Sequence, residues 1–190
     1  RGIVEVMTAS TRLNSKAPGF MFLAGGSLGG VPFAVLVALV VAIVAGVILA
    51  RTTMGRAVYG VGLNPKSSFI AGVLVNRVRF SVFVVSGLCA GLSGILLASR
   101  LSSVHPAMGT GYELTAIAAA ALGGASLSGG RGSVLGTALG ALFLAILQNT
   151  LSLMSVNAFW FQIITGVIIV LAVLMDGGVR RFVAQRARAA

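Results

Sequence analysis

Residues 31–50 read VPFAVLVALVVAIVAGVILA, and residues 51–80 continue as RTTMGRAVYGVGLNPKSSFIAGVLVNRVRF. The first run, Val31 to Ala50, is twenty uncharged residues. As a helix it is about 30 Å long, the thickness of a bilayer's hydrocarbon core. The second stretch carries five basic residues, Arg51, Arg56, Lys66, Arg77 and Arg79, and no acidic one. Within it Asn64-Pro65 is a helix start, because asparagine caps well and proline loses nothing at the first helical position. Lys66 to Ala71 then forms a turn or two, and Gly72 is a natural stop. A short helix among basic residues, set between apolar spans, is expected to be a handle for something on the cytoplasmic side.

Outward from that stretch the whole chain is apolar. Hydrophobic residues make up 57% of it and charged residues 9%, against about 25% charged in soluble domains. Mean hydropathy is +1.05. At 190 residues a single compact unit is expected. The net charge of +11 does not indicate nucleic acid, since the basic residues occupy short segments between apolar runs. That is the distribution of the positive-inside rule, with membrane lipid as the surroundings. Cys89, the only cysteine, lies within an apolar run and serves as a small apolar residue. The chain opens at Arg1 without an initiator methionine or signal-peptide pattern, and is expected to be a piece of a longer protein.

Five spans are expected, over about 31–50, 80–98, 110–127, 133–151 and 158–175, making an all-α polytopic membrane protein. Residues 1–30, broken by Gly25-Gly26 and Gly29-Gly30, read as an extracytoplasmic segment, 51–79 as a cytoplasmic loop and 176–190 as a basic cytoplasmic tail. Leu114 to Leu127 is short for a crossing, about 21 Å as a helix. Charge decides its treatment. If it spans, the five basic residues of 51–79, Arg131 and the four arginines of the tail (Arg180, Arg181, Arg186, Arg188) share one side, ten of fourteen in the chain. If it were re-entrant, that bias would vanish. Thr110 to Glu113 has the T-x-x-E form of a capping box ahead of this segment.

Gly132, Gly136 and Gly140 recur every four residues and form a ridge for close helix packing, drifting about 40° per step. Gly87 and Gly91 make a second small-xxx-small pair. Polar side chains at membrane depth face protein or a water-filled cavity. On that ground Thr137, Gln148, Asn149, Gln162 and Glu113 are candidates for a solute pathway. The competing reading makes Thr137 and Gln148 partners of a neighbouring helix, Gln148 and Asn149 interfacial, and Glu113 the capping residue of a positively polarised helix N-terminus. Trp160 fits the aromatic belt at the membrane interface.

Enzymatic readings fail: there is no carboxylate pair, no His/Cys cluster with metal spacing, and no base beside a nucleophile. Gly60 to Ser67, G-V-G-L-N-P-K-S, departs from the phosphate-binding G-x-x-x-x-G-K-S loop by a proline at the second glycine. Pro65 lacks both the N–H and the backbone freedom that such a loop uses. Energy for uphill transport would therefore come from a partner.

Three segments carry a family resemblance. T-x-x-G-R-x-V-Y-G-V-G-x-N (Thr52 to Asn64), followed by Ser67-Ser68 and Gly72, resembles the cytoplasmic loop of permease subunits of bacterial ABC importers. The stretch G-Y-E-L-T-A-I-A-A-A-A-L-G-G-A-S-L-S-G-G-R-G-S-V-L-G-T (Gly111 to Thr137) is similar to the most recognisable region of the ribose/xylose-type monosaccharide group. A-F-W-F-Q-I-I-T-G-V-I-I-V-L-A-V (Ala158 to Val173) fits the same group, whose branched-chain amino acid relatives are more distant. The resemblance covers residues 31–179 well and residues 1–30 weakly.

The resemblance implies a multi-pass inner-membrane permease of about ten spans, of which this chain is the C-terminal half. It implies a coupling helix at about Asn64 to Gly72 that docks on an ATPase subunit, with Gly55, Arg56, Asn64, Pro65, Lys66, Ser67, Ser68 and Gly72 as the coupling loop. It also implies a second permease chain, a periplasmic substrate-binding protein, and ATP used by the partner subunit rather than bound here. Many members have Glu or Arg followed by Ala-Ala where this chain has Lys66-Ser67-Ser68, so its polar contact to an ATPase is expected to differ. The expected function is ATP-driven import of a small sugar, with branched-chain amino acid or other small-metabolite import as the alternative. A passive channel or scaffold is the alternative from another class.

Overall fold

The computed structural model describes residues 13–14, 26–28, 30–101, 103–104, 108–155 and 157–189, and for 13–14, 28, 103–104, 158 and 175–189 the backbone alone. The expectation for residues 1–30 falls almost wholly outside them. The protein is all-α and polytopic. Among the described residues its helices are α1 (Phe33–Arg51), α2 (Thr53–Leu63), α3 (Pro65–Ile70), α4 (Val75–Leu101), α5 (Tyr112–Leu122), α6 (Val134–Leu153) and α7 (Ala158–Ala189). Among the described residues four two-residue strands pair antiparallel: β1 (Leu13–Asn14) with β4 (Ser103–Val104), and β2 (Ser27–Leu28) with β3 (Val31–Pro32).

Among the described residues, three helices are long and apolar enough to cross a membrane: α1 with 19 residues, α4 with 27 and α6 with 20. Their apolar side chains lie open on the outside; Val40 and Ile43 of α1 and Phe80 and Phe83 of α4 are examples. With lipid as solvent this arrangement is stable, because a helix satisfies its own backbone groups and needs no buried apolar face. Two shorter apolar helices accompany them, Tyr112–Leu122 and the Phe159–Leu174 part of α7.

The chain divides into two compact units. One draws on Arg1–Val44 and Arg79–Thr110, the other on Ala45–Val78 and Gly111–Ala190. The first holds both strand pairs and the larger part of α4, and the Phe33 N–H donates to the Gly26 carbonyl at 2.9 Å, tying the start of α1 to the β2 side. The second holds α2, α3, α5, α6 and α7 and the core of the described residues. Ala118 and Ala119 of α5 are buried against Leu144 of α6, with Leu147, Ile168 and Ile169 packed around them. Two alanines in succession let α5 sit close to both neighbours, the small-residue packing that substitutes for the hydrophobic effect in lipid.

Several boundaries differ from the sequence-based expectation. The loop expected over 51–79 holds a second helix, α2, beside the expected one, and α4 starts at Val75 rather than Phe80. The segment expected to span 110–127 has only 11 helical residues, about 16 Å at the α-helical rise. Its ends explain this. Gly111 caps it at φ +88° without a side-chain cap bond, and Gly124 at φ +84° terminates it. The helix start falls at Gly111, one residue beyond the Thr110 expected to cap it, so Glu113 is the second helical residue. Finally, the backbone of the tail expected from Asp176 continues α7 as helix to Ala189.

Candidate functional site

The basic loop folds as two short helices set at an elbow. Thr52 organises the entry. Its hydroxyl donates to the Ile48 carbonyl at 2.6 Å, closing α1, and accepts from the Gly55 N–H at 3.1 Å, opening α2. Gly55 is buried, and a Cβ there would run into the carbonyls of Ile48 and Leu49. Only glycine allows the chain to turn this tightly off the end of α1. Arg56, one residue on, points outward and is exposed.

Asn64 occupies the elbow itself, as C-cap of α2 and N-cap of α3. Its N–H donates to the Gly60 carbonyl at 3.0 Å, while its side-chain oxygen accepts from Lys66 N–H at 3.0 Å and Ser67 N–H at 3.2 Å. Pro65 stands at the first helical position, where no N–H is needed. At the other end the Gly72 N–H donates to the Phe69 carbonyl and the Val73 N–H to the Ser68 carbonyl, both at 3.0 Å. With Gly72 at φ +82° these two bonds form a Schellman motif, which a side chain at that position would strain.

The six-residue helix α3 thus has both ends closed and its surface free. Phe69 is 71% exposed and Ile70 85%, and Leu74 just beyond is also exposed. Lys66 and Ser67 are exposed as well, whereas Ser68 is half-buried beside α2, where a Cβ on Gly60 would stand 3.5 Å from its hydroxyl oxygen. Two large apolar side chains, Phe69 and Ile70, are thus held out on a capped turn beside Lys66.

The back of the elbow rests on the turn between α5 and α6. Gly62 lies against this turn so closely that a Cβ would come 2.5 Å from the Gly130 nitrogen. Gly129 and Gly130 have φ +94° and +79°, and a Cβ on Gly130 would strike the Leu63 side chain. Tyr59, half-buried, donates its hydroxyl to the Gly132 carbonyl at 2.8 Å. The turn is closed on itself by Ser126 N–H to the Arg131 carbonyl at 2.9 Å and Gly129 N–H to the Ser126 carbonyl at 3.0 Å. From the sequence Gly129-Gly130 reads only as the close of the apolar unit before it, and Tyr59 and Gly62 stand out only as part of the Y-G-V-G motif. The available signal was the repetition of glycine in both Y-G-V-G and S-G-G-R-G, which marks close backbone approach without naming the partner.

Beyond the turn, Ser133 caps α6 by accepting from the Gly136 N–H at 3.0 Å. Of the glycine ridge, Gly132 lies beside Ala125, with a Cβ reaching 3.1 Å from that of the alanine. Gly136 meets the backbone of Gly123, and Gly140 that of Ala119. Gly87 and Gly91 on α4, by contrast, have nothing within 4 Å of where a Cβ would stand.

The contacts Gly123–Gly136 and Ala119–Gly140 make α5 and α6 antiparallel. Continued along both helices, this register brings Glu113 level with the last turns of α6, which hold Gln148 and Asn149. The chain then turns back into α7, whose first turns hold Gln162 at the same end. Glu113, Gln148, Asn149 and Gln162 therefore lie toward the end of the three helices remote from the Gly129–Gly132 turn, and all four are exposed. Thr137 belongs to the opposite end and does not join them. Its hydroxyl donates to the Ser133 carbonyl of its own helix at 3.0 Å, a bond neither the pathway reading nor the neighbouring-helix reading had supplied.

Comparison with known proteins gives a consistent set. The family described as branched-chain amino acid transport system / permease component matches residues 2–173. The chain is 40% identical over 178 residues to the ribose import permease protein RbsC of Bacillus subtilis (strain 168), covering 93% of this chain and 55% of that one. It is 41% identical over 180 residues to the ribose import permease protein RbsC of Escherichia coli (strain K12), covering 93% and 56%. With the xylose transport system permease protein XylH of the same strain it shares 42% identity over 153 residues, 80% of this chain and 39% of that one. The chain spans about half the length of the ribose relatives it matches. No solved structure matches it.

Proposed function

The chain belongs to the family of permease components of branched-chain amino acid transport systems, and on that premise we propose that it forms part of the membrane subunit of an ABC importer for a monosaccharide. It is a multi-pass inner-membrane protein. The observation that carries the transport reading is α3, capped at both ends by Asn64 and Gly72 and presenting Phe69 and Ile70 outward. In this reading α3 docks on a separate ATPase subunit, which binds and hydrolyses the ATP, and this chain binds no cofactor itself. A second permease chain completes the pathway, and a periplasmic binding protein delivers the sugar. Relatives named for ribose and xylose import favour a pentose. The family's own description favours a branched-chain amino acid as the second reading.

The same reading assigns a division of labour. α3 takes up motion of the ATPase, α2 holds α3 against the α5–α6 turn, and the polar end formed by Glu113, Gln148, Asn149 and Gln162 faces the solute. The test is purification of the permease carrying this chain from its native membrane, as wild type and as Phe69→Asp, followed by identification of the co-purifying ATPase and assay of its activity with binding protein plus ribose, xylose or leucine. An ATPase retained by the wild type, lost on Phe69→Asp and stimulated by a pentose is the expected result. Stimulation by leucine alone would move the substrate to the second reading, and no ATPase with the wild type would leave a channel or scaffold.

A further inference from the structure

Between α3 and the α5–α6 pair lie close approaches of glycine backbone and one side-chain bond, that of Tyr59. Gly60 abuts Ser68 of α3, Gly62 abuts Gly130, Tyr59 holds the Gly132 carbonyl, and Gly136 abuts Gly123. Ser133, between them, is bonded to the first turn of α6. Flexible side chains absorb displacement by changing rotamer; main chain packed on main chain does not, and close-packed protein interiors transmit strain for this reason. The turn is also stiff, since the Ser126–Arg131 and Gly129–Ser126 bonds leave it little freedom to flex. Resting on the transport reading above, we propose that Tyr59 and the Gly62–Gly130 junction are the joint through which displacement of α3 moves α6, so that Tyr59 is a positioning residue for transport and not part of the ATPase-docking surface.

Among the contacts of this joint Tyr59 offers the cleanest handle. Its hydroxyl can be removed without changing the shape of α2. The Gly132 carbonyl it holds lies just before the α6 cap, where a small rotation of the peptide swings the whole helix. Loss of the hydroxyl leaves the apolar ring in its seat and α3 unaltered, so docking and translocation separate.

The experiment compares wild type, Tyr59→Phe and Gly62→Ala of the permease carrying this chain, reconstituted with its ATPase and binding protein in proteoliposomes. It measures the amount of ATPase bound, the ATP hydrolysed and the solute imported. The expected result for Tyr59→Phe is wild-type ATPase binding with solute moved per ATP lowered roughly five-fold, the weight of one neutral hydrogen bond. Gly62→Ala, which forces the backbones apart, should lower the ratio further at equal amounts of assembled complex. An unchanged ratio in Tyr59→Phe overturns the joint. Reduced ATPase binding in that variant, with the ratio intact, also overturns it and makes Tyr59 part of the docking surface. A wild type that binds no ATPase overturns the transport reading itself, and the joint with it, so the two failures are told apart by the unmutated protein.

Discussion

The Tyr59 hydroxyl and the Gly132 carbonyl meet at 2.8 Å across 73 positions of sequence. This bond links the two most recognisable motifs of the chain, the Y-G-V-G of α2 and the G-G-R-G of the α5–α6 turn. Around it Gly62 and Gly130 approach so closely that neither could carry a side chain without displacement.

The first prediction concerns that approach. Gly130→Ala places a Cβ into Leu63 at a φ of +79°. The left-handed backbone costs about 1–2 kcal/mol for a non-glycine residue, and the overlap adds about 1–3 kcal/mol. A fall in the apparent melting temperature of the detergent-solubilised protein is expected. Wild-type melting would show that the turn does not rest on α2.

A second prediction concerns Gly136→Leu. Its Cβ would overlap the Gly123 backbone, which cannot move aside as a side chain does. Loss of about 3 kcal/mol or more is expected, seen as poor assembly and aggregation on size-exclusion chromatography. An unaffected elution profile would mean that α5 and α6 do not pack by this face.

The elbow gives the third. Asn64→Ala removes the acceptor of two main-chain bonds and should cost about 1 kcal/mol, with Asn64→Asp close to wild type because it caps equally well. The readout is ATPase retained on the purified permease. Equal retention by Asn64→Ala and Asn64→Asp would show that capping of α3 is immaterial to docking.

The fourth prediction uses Gly72, where space is open but φ is +82°. Substitution there acts through backbone strain alone, so Gly72→Val should unravel the end of α3 and uncouple transport from ATP hydrolysis while membrane insertion stays normal. Gly72→Asn, which tolerates the left-handed region better, should fall between Gly72→Val and wild type. Normal import by Gly72→Val would remove α3 from the coupling role.

Much of this protein is determined by its sequence alone, because the deciding interactions are local. Apolar run length governs α1, α4 and α6, since a bilayer requires a helix of fixed length whatever surrounds it. Asn64-Pro65 and Gly72 bound α3 through bonds to residues no more than five positions away. The shortness of α5, by contrast, follows from Gly111 and Gly124, whose positive φ closes the helix at both ends. α2 was hidden inside a stretch read as loop, although Thr52 had the chemistry of an N-cap. What only the tertiary structure decided was partnership: which backbone Gly62, Gly136 and Gly140 approach, that Tyr59 holds Gly132, and that Thr137 lies apart from Glu113, Gln148, Asn149 and Gln162. A glycine announces that something comes close, but the surface that comes close belongs to a distant part of the chain, and its identity is set only when the helices pack.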